Sequence, residues 1–226
     1  MKQSKLFPLL FPFIMMAIPW IYLAIIWKDL PAIIPTHFGV SGVPDKFGDR
    51  SEVFIGPAAL SVIGILLYFL LRNLHRIDPK RKYSAPTSSV LSKLSVVIII
   101  LLCAVSLLIC HWTVKGKVEG LGVLFCIMGL FLAYIGNLFH SIKPNYFAGL
   151  RLPWTLESED NWRMTHQFAS KIWFAGGLVL AVLALILPVK PLIFTFMGIM
   201  LVLVLVPAWY SYDLYRKNNS SETPSA

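Results

Sequence analysis

One group of residues that could do chemistry lies in a polar segment at about residues 28–53. His37, Asp45 and Asp49 stand close together in this segment, so an imidazole and two carboxylates could meet around a metal ion. Their spacing matches no diagnostic metal motif, and the sequence contains neither an H-E-x-x-H zinc helix nor a Walker loop. We therefore predict that the segment holds no metal.

A second group lies at about residues 141–171, where Glu157, Asp160 and His166 are side chains able to transfer protons. Catalysis would also need a nucleophile or a substrate-binding motif, and no G-x-S-x-G elbow is present. The sequence therefore predicts a protein that is not an enzyme and uses no cofactor.

The amino-acid composition indicates whether the chain lies in water or in a lipid bilayer. The 226 residues are 57% hydrophobic and 14% charged, with a mean hydropathy of +0.72, whereas soluble domains are about 25% charged. The net charge of +9 comes from Lys and Arg placed between apolar runs, so it indicates membrane topology and not direct nucleic-acid binding. Cys103, Cys110 and Cys126 all fall within apolar runs and are predicted to pack as small apolar residues.

Six apolar runs are long enough to cross a bilayer, since a helix needs roughly 20 residues to span about 30 Å of hydrocarbon. With the N-terminus inside, 14 of the 20 Lys and Arg residues are cytoplasmic. The prediction is an all-α integral membrane protein of the cell membrane with six spans and both termini inside. The spans are predicted at about Leu6–Trp27, Phe54–Leu71, Leu94–Trp112, Val118–His140, Ile172–Leu187 and Leu192–Tyr210.

We predict two units and a tail. Residues 1–93 form a two-span unit with the extracytoplasmic loop 28–53. Residues 94–216 form a four-span unit with the cytoplasmic loop 141–171. Residues 217–226 are polar and lack apolar anchors, which predicts a disordered tail.

The inner loop has two possible roles. Its alternating aromatic and basic residues suit an interfacial anchor that contacts membrane lipids. Alternatively it is an ordered platform for a peptide or protein, because Gly149 allows a tight turn, Pro153 favours extended backbone before it, and Thr155 or Ser158 can cap a following helix. Helical spacing would then bring Arg163, His166 and Ser170 close to one face, beside Trp162, Thr165 and Ala169.

Span four carries a stripe of small residues that ends in a polar one. Small residues let helix backbones approach closely, so helix packing is the predicted role, and a polar pathway through Asn137 is the alternative. The stripe consists of Gly122, Cys126, Gly129, Ala133, Gly136 and His140.

The inner loop also resembles the signature of a known family. The matching positions are Asn145, Gly149, Arg151, Pro153, Trp154, Thr155, Leu156, Trp162, Thr165 and His166. This pattern resembles that of the SdpI family, named for an immunity protein against a secreted sporulation-delaying toxin. The resemblance implies that these positions form a cytoplasmic binding motif.

The outer loop resembles the domain of unknown function that commonly precedes the SdpI region. The matching positions are Pro35, His37, Phe38, Gly42, Pro44, Asp45, Gly48 and Arg50. The Gly and Pro residues by themselves predict a folded turn. The functional alternative is a compact extracytoplasmic site. In it, Phe38 and Phe47 offer apolar contacts, and His37, Asp45 and Asp49 offer polar ones.

The resemblance implies a non-enzymatic membrane protein that senses or resists a membrane-active toxic peptide. It further implies that a cytoplasmic transcriptional repressor can be held at the membrane. The alternative is a small transporter or channel, which is disfavoured because the six runs contain no Asp, Glu, Lys or Arg away from their ends.

Overall fold

The computed structural model describes residues 6–39, 42–76 and 84–221. The secondary-structure elements are α1 Leu6–Ile26, β1 Ile33–Phe38, β2 Pro44–Asp49, α2 Ile55–Asn73, α3 Ser84–Lys115, α4 Leu121–Phe139, α5 Pro153–Glu157, α6 Glu159–Ala184 and α7 Val189–Ser221. Six of the helices, α1 to α4 with α6 and α7, are long and apolar enough to cross a membrane. The prediction of six spans is therefore confirmed, while their orientation stays a prediction.

Three helices, α3, α6 and α7, are longer than their apolar runs predict. α6 begins at Glu159 instead of Ile172, because Ser158 caps it by accepting a hydrogen bond from the backbone N–H of Asn161 at 3.2 Å. The predicted helix in the inner loop and the fifth span are thus one continuous helix.

α7 continues to Ser221, so residues 217–221 are helical and the prediction of a disordered tail from residue 217 is wrong over that stretch. Residues 222–226 lie outside the described part of the chain. The Lys217 ammonium lies 2.6 Å from the Asp213 carboxylate one turn earlier, and such i, i+4 pairs support a helix in water.

The outer loop contains a β-hairpin that the all-α prediction lacks. β1 and β2 pair antiparallel, with Ile33 opposite Asp49 and Pro35 opposite Phe47. Hydropathy detects long apolar runs, so it does not detect two six-residue strands in a polar loop.

The chain divides into two compact units, Met1–Leu71 with Ser95–Leu124, and Arg72–Leu94 with Phe125–Ala226. This division differs from the predicted boundary at residue 93. The first unit includes most of α3 because Ile99 and Cys103 of α3 share a core with Met16 of α1 and Tyr68 of α2.

Prolines inside the spanning helices of the first unit each leave a backbone carbonyl without its helical donor, since proline has no N–H. Pro12 leaves the oxygen of Pro8 free, and the Tyr68 hydroxyl donates to it at 2.9 Å. Pro19 does the same to Met15, whose oxygen lies 3.2 Å from the Cys103 thiol. Neighbouring helices thus satisfy the groups that the prolines release.

The second unit repeats this arrangement in α7. Pro207 removes the donor for the oxygen of Leu203, and the Trp173 indole N–H of α6 donates to that oxygen at 2.7 Å. Trp173 also packs against Phe139 of α4, with ring centroids 4.9 Å apart. One α6 side chain therefore links three helices.

The small residues of α4 lie against α6. A Cβ added to Gly129 would lie 2.6 Å from the Gly177 oxygen, and one added to Gly136 would lie 2.8 Å from the carbonyl carbon of Trp173. A Cβ added to Gly177 would in turn lie 2.8 Å from the Cα atom of Ala133. The two backbones approach so closely that no side chain fits at either glycine.

The ends of the predicted stripe behave differently. Cys126 packs beside the core of α4, α6 and α7, and Gly122 is half-buried. His140 is exposed and lies one residue beyond α4, where the Ser141 N–H turns back to the Leu138 oxygen at 2.9 Å. His140 is therefore not a packing residue, because the helix ends before it.

Candidate functional site

The inner loop is organised by Asn145, whose side chain is 1% exposed. Its amide group donates to the oxygens of Lys143 and Ala148 at 2.9 and 3.0 Å. Its amide oxygen accepts from the N–H groups of Phe147 and Ala148 at 2.8 and 2.7 Å. A buried amide with every bond made holds the loop in one conformation, since breaking any bond would leave a buried polar group unsatisfied.

Gly149 and His166 fix the next turn. Gly149 has φ +109°, and a Cβ there would collide with Nε2 of His166. The Leu150 N–H donates to that nitrogen at 3.0 Å, while Nδ1 lies 2.8 Å from the oxygen of Trp162. A nitrogen that accepts carries no proton, so His166 is neutral with its hydrogen on Nδ1.

α5 follows directly and begins with Pro153. The N–H of the first helical residue has no acceptor within the helix, so a proline at this position loses no hydrogen bond. Thr155 is fully buried, and its hydroxyl accepts from the Leu152 N–H at 2.9 Å and lies 2.8 Å from the Leu150 oxygen. The predicted cap at Thr155 therefore stabilises the turn before α5, whereas Ser158 caps α6.

A chain of hydrogen bonds attaches this loop to α7. The Trp154 indole donates to the Ser211 hydroxyl at 2.7 Å, and Ser211 donates to the side-chain oxygen of Asn161 at 2.9 Å. The Thr165 hydroxyl donates to the same oxygen at 3.0 Å. Trp154 also packs on Tyr212 and Tyr215, with ring centroids 5.3 and 5.8 Å away.

Sequence reasoning missed Ser211 and Asn161 as partners of the motif. Ser211 follows Trp154 by 57 positions, and nothing local marks a serine at the end of an apolar run as a partner. The available signal was weak: aromatic residues with polar edges cluster at 209–215, as they do where a helix leaves the bilayer.

The structure thus separates the predicted motif into internal and exposed residues. Asn145, Thr155, Trp162, Thr165 and His166 are buried and bonded within the chain. They cannot form the face of a platform without unfolding the loop, so that part of the prediction is corrected. Arg151 and Pro153 are exposed and Trp154 is half-buried.

In the outer loop, the hairpin packs one face on the helices. Ile34 is 1% exposed and joins a core with Leu23, Val53 and Cys110. The opposite face presents Ile33 and Phe47, which are 67% and 62% exposed.

On the hairpin, the His37 Nδ1 lies 2.5 Å from the Asp45 carboxylate, and both side chains are more than half exposed. Asp45 therefore bonds across the hairpin and not to its own turn. Phe38 is half-buried, so Phe47 is the more accessible of the two predicted aromatic contacts. A Cβ on Gly48 would collide with the Glu52 carboxylate.

The link between α3 and α4 supports the tip of the hairpin. The Val118 N–H donates to the Gly42 oxygen at 3.1 Å, and Gly42 has φ +77°. The Trp112 indole donates to the Glu119 oxygen at 2.8 Å. The Lys117 ammonium, 2.5 Å from the Glu119 carboxylate, lowers the pKa of that carboxyl by hydrogen bonding and charge.

Within the described ranges, no group of three or more His, Cys, Asp and Glu side chains could hold a metal ion.

Comparison with known proteins assigns both loops. A model described as the SdpI/YfhL protein family matches residues 141–211, and a domain of unknown function, DUF1648, matches residues 14–60. The chain is also 27% identical over 198 residues to the immunity protein SdpI of Bacillus subtilis, covering 87% of this chain and 90% of that protein. The inner loop, α5, α6 and α7 as far as Ser211 are thus similar to the SdpI/YfhL protein family. The resemblance seen in the two loop motifs is thus confirmed.

A second relative of this chain is an uncharacterised protein of Archaeoglobus fulgidus. It is 37% identical over 59 residues, which is 26% of this chain and 32% of the relative. No solved structure matches the chain significantly. The six apolar helices and the family together establish a multi-pass protein of the cell membrane.

Proposed function

We propose that this chain is a membrane immunity protein that protects the cell against a membrane-active toxic peptide. The observation that carries the proposal is the similarity to an immunity protein over nearly the full length of both chains. It includes both loops, so it concerns the whole architecture and not one span.

Survival under challenge tests this function. Cells lacking the gene should be killed by secreted peptides of related strains at lower doses than the parent, and the wild-type gene should restore resistance. Equal sensitivity of deletion and parent to every peptide that kills either would contradict the proposal.

We further propose that the exposed face of the hairpin meets the toxin. Ile33 and Phe47 supply apolar area there, and His37 and Asp45 supply polar groups. Asp45→Ala should lower resistance at unchanged membrane abundance. Asp29→Ala is the matched control, because Asp29 is an exposed carboxylate of the same loop that lies outside both strands. Parallel loss of abundance would instead indicate that Asp45 serves folding of the hairpin.

A finer proposal is that toxin binding lets the protein hold a transcriptional repressor at the membrane. Its support is the family resemblance of the inner loop. Expression of neighbouring genes should rise when toxin is added to cells with the wild-type protein and stay constant in the deletion. Unchanged expression together with full resistance would contradict the repressor step and leave the immunity function standing.

A further inference from the structure

Arg151 is an exposed charged side chain in a loop whose buried polar side chains are all hydrogen-bonded. Asn145 makes four hydrogen bonds to the backbone on one side of it, and Thr155 bonds the backbone on the other. The Arg151 guanidinium itself donates through Nη1 to the Tyr146 oxygen at 2.6 Å. Both the backbone and the head of this arginine are therefore held in place before any ligand binds.

The guanidinium nevertheless lacks a counterion within the described part of the chain. Two exposed cations nearby are paired: Arg163 lies 2.9 Å from Asp160, and Lys217 lies 2.6 Å from Asp213. Arg151 is exposed and forms no ion pair with any described residue. A guanidinium has five N–H donors, and one bond to a carbonyl leaves a fork suited to a phosphate or carboxylate.

The depth of the loop identifies the anion. The stretch of α7 free of charged residues runs from 191 to 212, about 33 Å of helix, which matches the roughly 30 Å of hydrocarbon in a bilayer. The Trp154 indole bonds to Ser211 at the end of this stretch and packs on Tyr215. α5 therefore lies at the level of the lipid headgroups, where aromatic rings with polar edges are common.

Arg151 lies three residues before Trp154, so the two Cα atoms are at most about 11 Å apart. An arginine so close to the headgroup layer can extend its charge to the phosphates. We propose that Arg151, oriented by the Tyr146 carbonyl, binds the phosphate of an anionic phospholipid beside α5. The assignment is independent of the proposed immunity function.

Lipid retention measures this directly. Full-length protein is purified from membranes into mild detergent, phosphatidylglycerol is titrated in, and bound lipid is counted by native mass spectrometry. Arg151→Gln should weaken binding of that lipid at least about fivefold, or about 1 kcal/mol, the typical contribution of one basic residue at an anionic surface. Arg163→Gln is the matched control, because that exposed guanidinium is already paired with Asp160.

Three outcomes would overturn the proposal. The Arg151→Gln variant could bind phosphatidylglycerol as tightly as wild type does. Alternatively, Arg163→Gln could lose as much binding as Arg151→Gln, which would mean that the lipid responds only to net charge. Inorganic phosphate could displace the lipid at comparable concentration, which would indicate a site for a free anion. Thermal unfolding of each variant without added lipid shows whether it is folded, so a binding loss in folded protein is informative.

Discussion

His166 illustrates how the inner loop uses residues that resemble functional groups. Its ring accepts from the Leu150 N–H, faces the Trp162 oxygen and stacks on the Trp162 ring at 4.2 Å. Gly149 is needed because any larger residue would occupy the space of the imidazole. A histidine with both nitrogens bonded to backbone groups stabilises the fold and is not available for proton transfer.

Gly149→Ala tests this arrangement. We expect a loss of at least about 2 kcal/mol of stability, since alanine at φ +109° is strained and its methyl group collides with His166. Thermal unfolding in detergent measures the change.

Gly198→Ala is the matched control for that substitution. Nothing lies within 4 Å of a Cβ at Gly198 in α7, so alanine should be neutral or stabilising by about 0.5–1 kcal/mol. Equal midpoints of thermal unfolding for Gly149→Ala and Gly198→Ala would show that the collision with His166 does not affect stability.

At the scale of elements, the helices are joined through groups that their own irregularities release. Pro12, Pro19 and Pro207 each free a carbonyl, and side chains of adjacent helices donate to all three. The prolines therefore favour particular helix pairs, because a wrong neighbour would leave a polar group unsatisfied in the membrane.

Tyr68→Phe should cost about 1–2 kcal/mol, because it removes the donor to the Pro8 oxygen. In a Pro12→Ala background the helix regains a backbone N–H for the same oxygen, so Tyr68→Phe should cost clearly less. A double-mutant cycle of thermal stabilities in detergent measures the coupling. Equal losses in both backgrounds would show that the hydroxyl does not replace the helical donor.

The contact of α4 with α6 predicts a second difference. Gly129→Leu should destabilise the protein by about 3 kcal/mol or more, since the side chain would collide with the backbone at Gly177 and Ala181. Leu130→Ala, at a side chain that is 53% exposed, should have a much smaller effect. Comparable losses in detergent unfolding would mean that α4 and α6 can separate without cost.

At the scale of the whole molecule, the distribution of charge predicts an orientation in the membrane. The excess of Lys and Arg predicts that the hairpin lies outside and the inner loop inside. Function depends on this assignment, because an external peptide can reach the hairpin only if it faces outward.

Single cysteines at Val43 and Glu157, both exposed, report the orientation. They are introduced into a background variant without native cysteines. In that variant Cys103 is replaced by Ser, which keeps a donor for the Met15 oxygen, and Cys110 and Cys126 are replaced by Ala. An impermeant maleimide should label Val43→Cys in intact cells and Glu157→Cys only after permeabilisation. The reverse pattern would contradict the N-in orientation.

The amino-acid sequence by itself determined the six spans, the membrane location and the resemblance to the SdpI family, and it indicated Ser158 as one of two possible helix caps. These depend on apolar run length, on hydrogen bonds within three residues, and on short motifs, all of which are local in the chain. Tertiary structure alone decided that His166 and Asn145 are internal, that Trp154 bonds to Ser211, and that a hairpin pairs β1 with β2. Those outcomes depend on which distant groups meet once helices pack, and the burial of a polar side chain is determined by the partner it finds there.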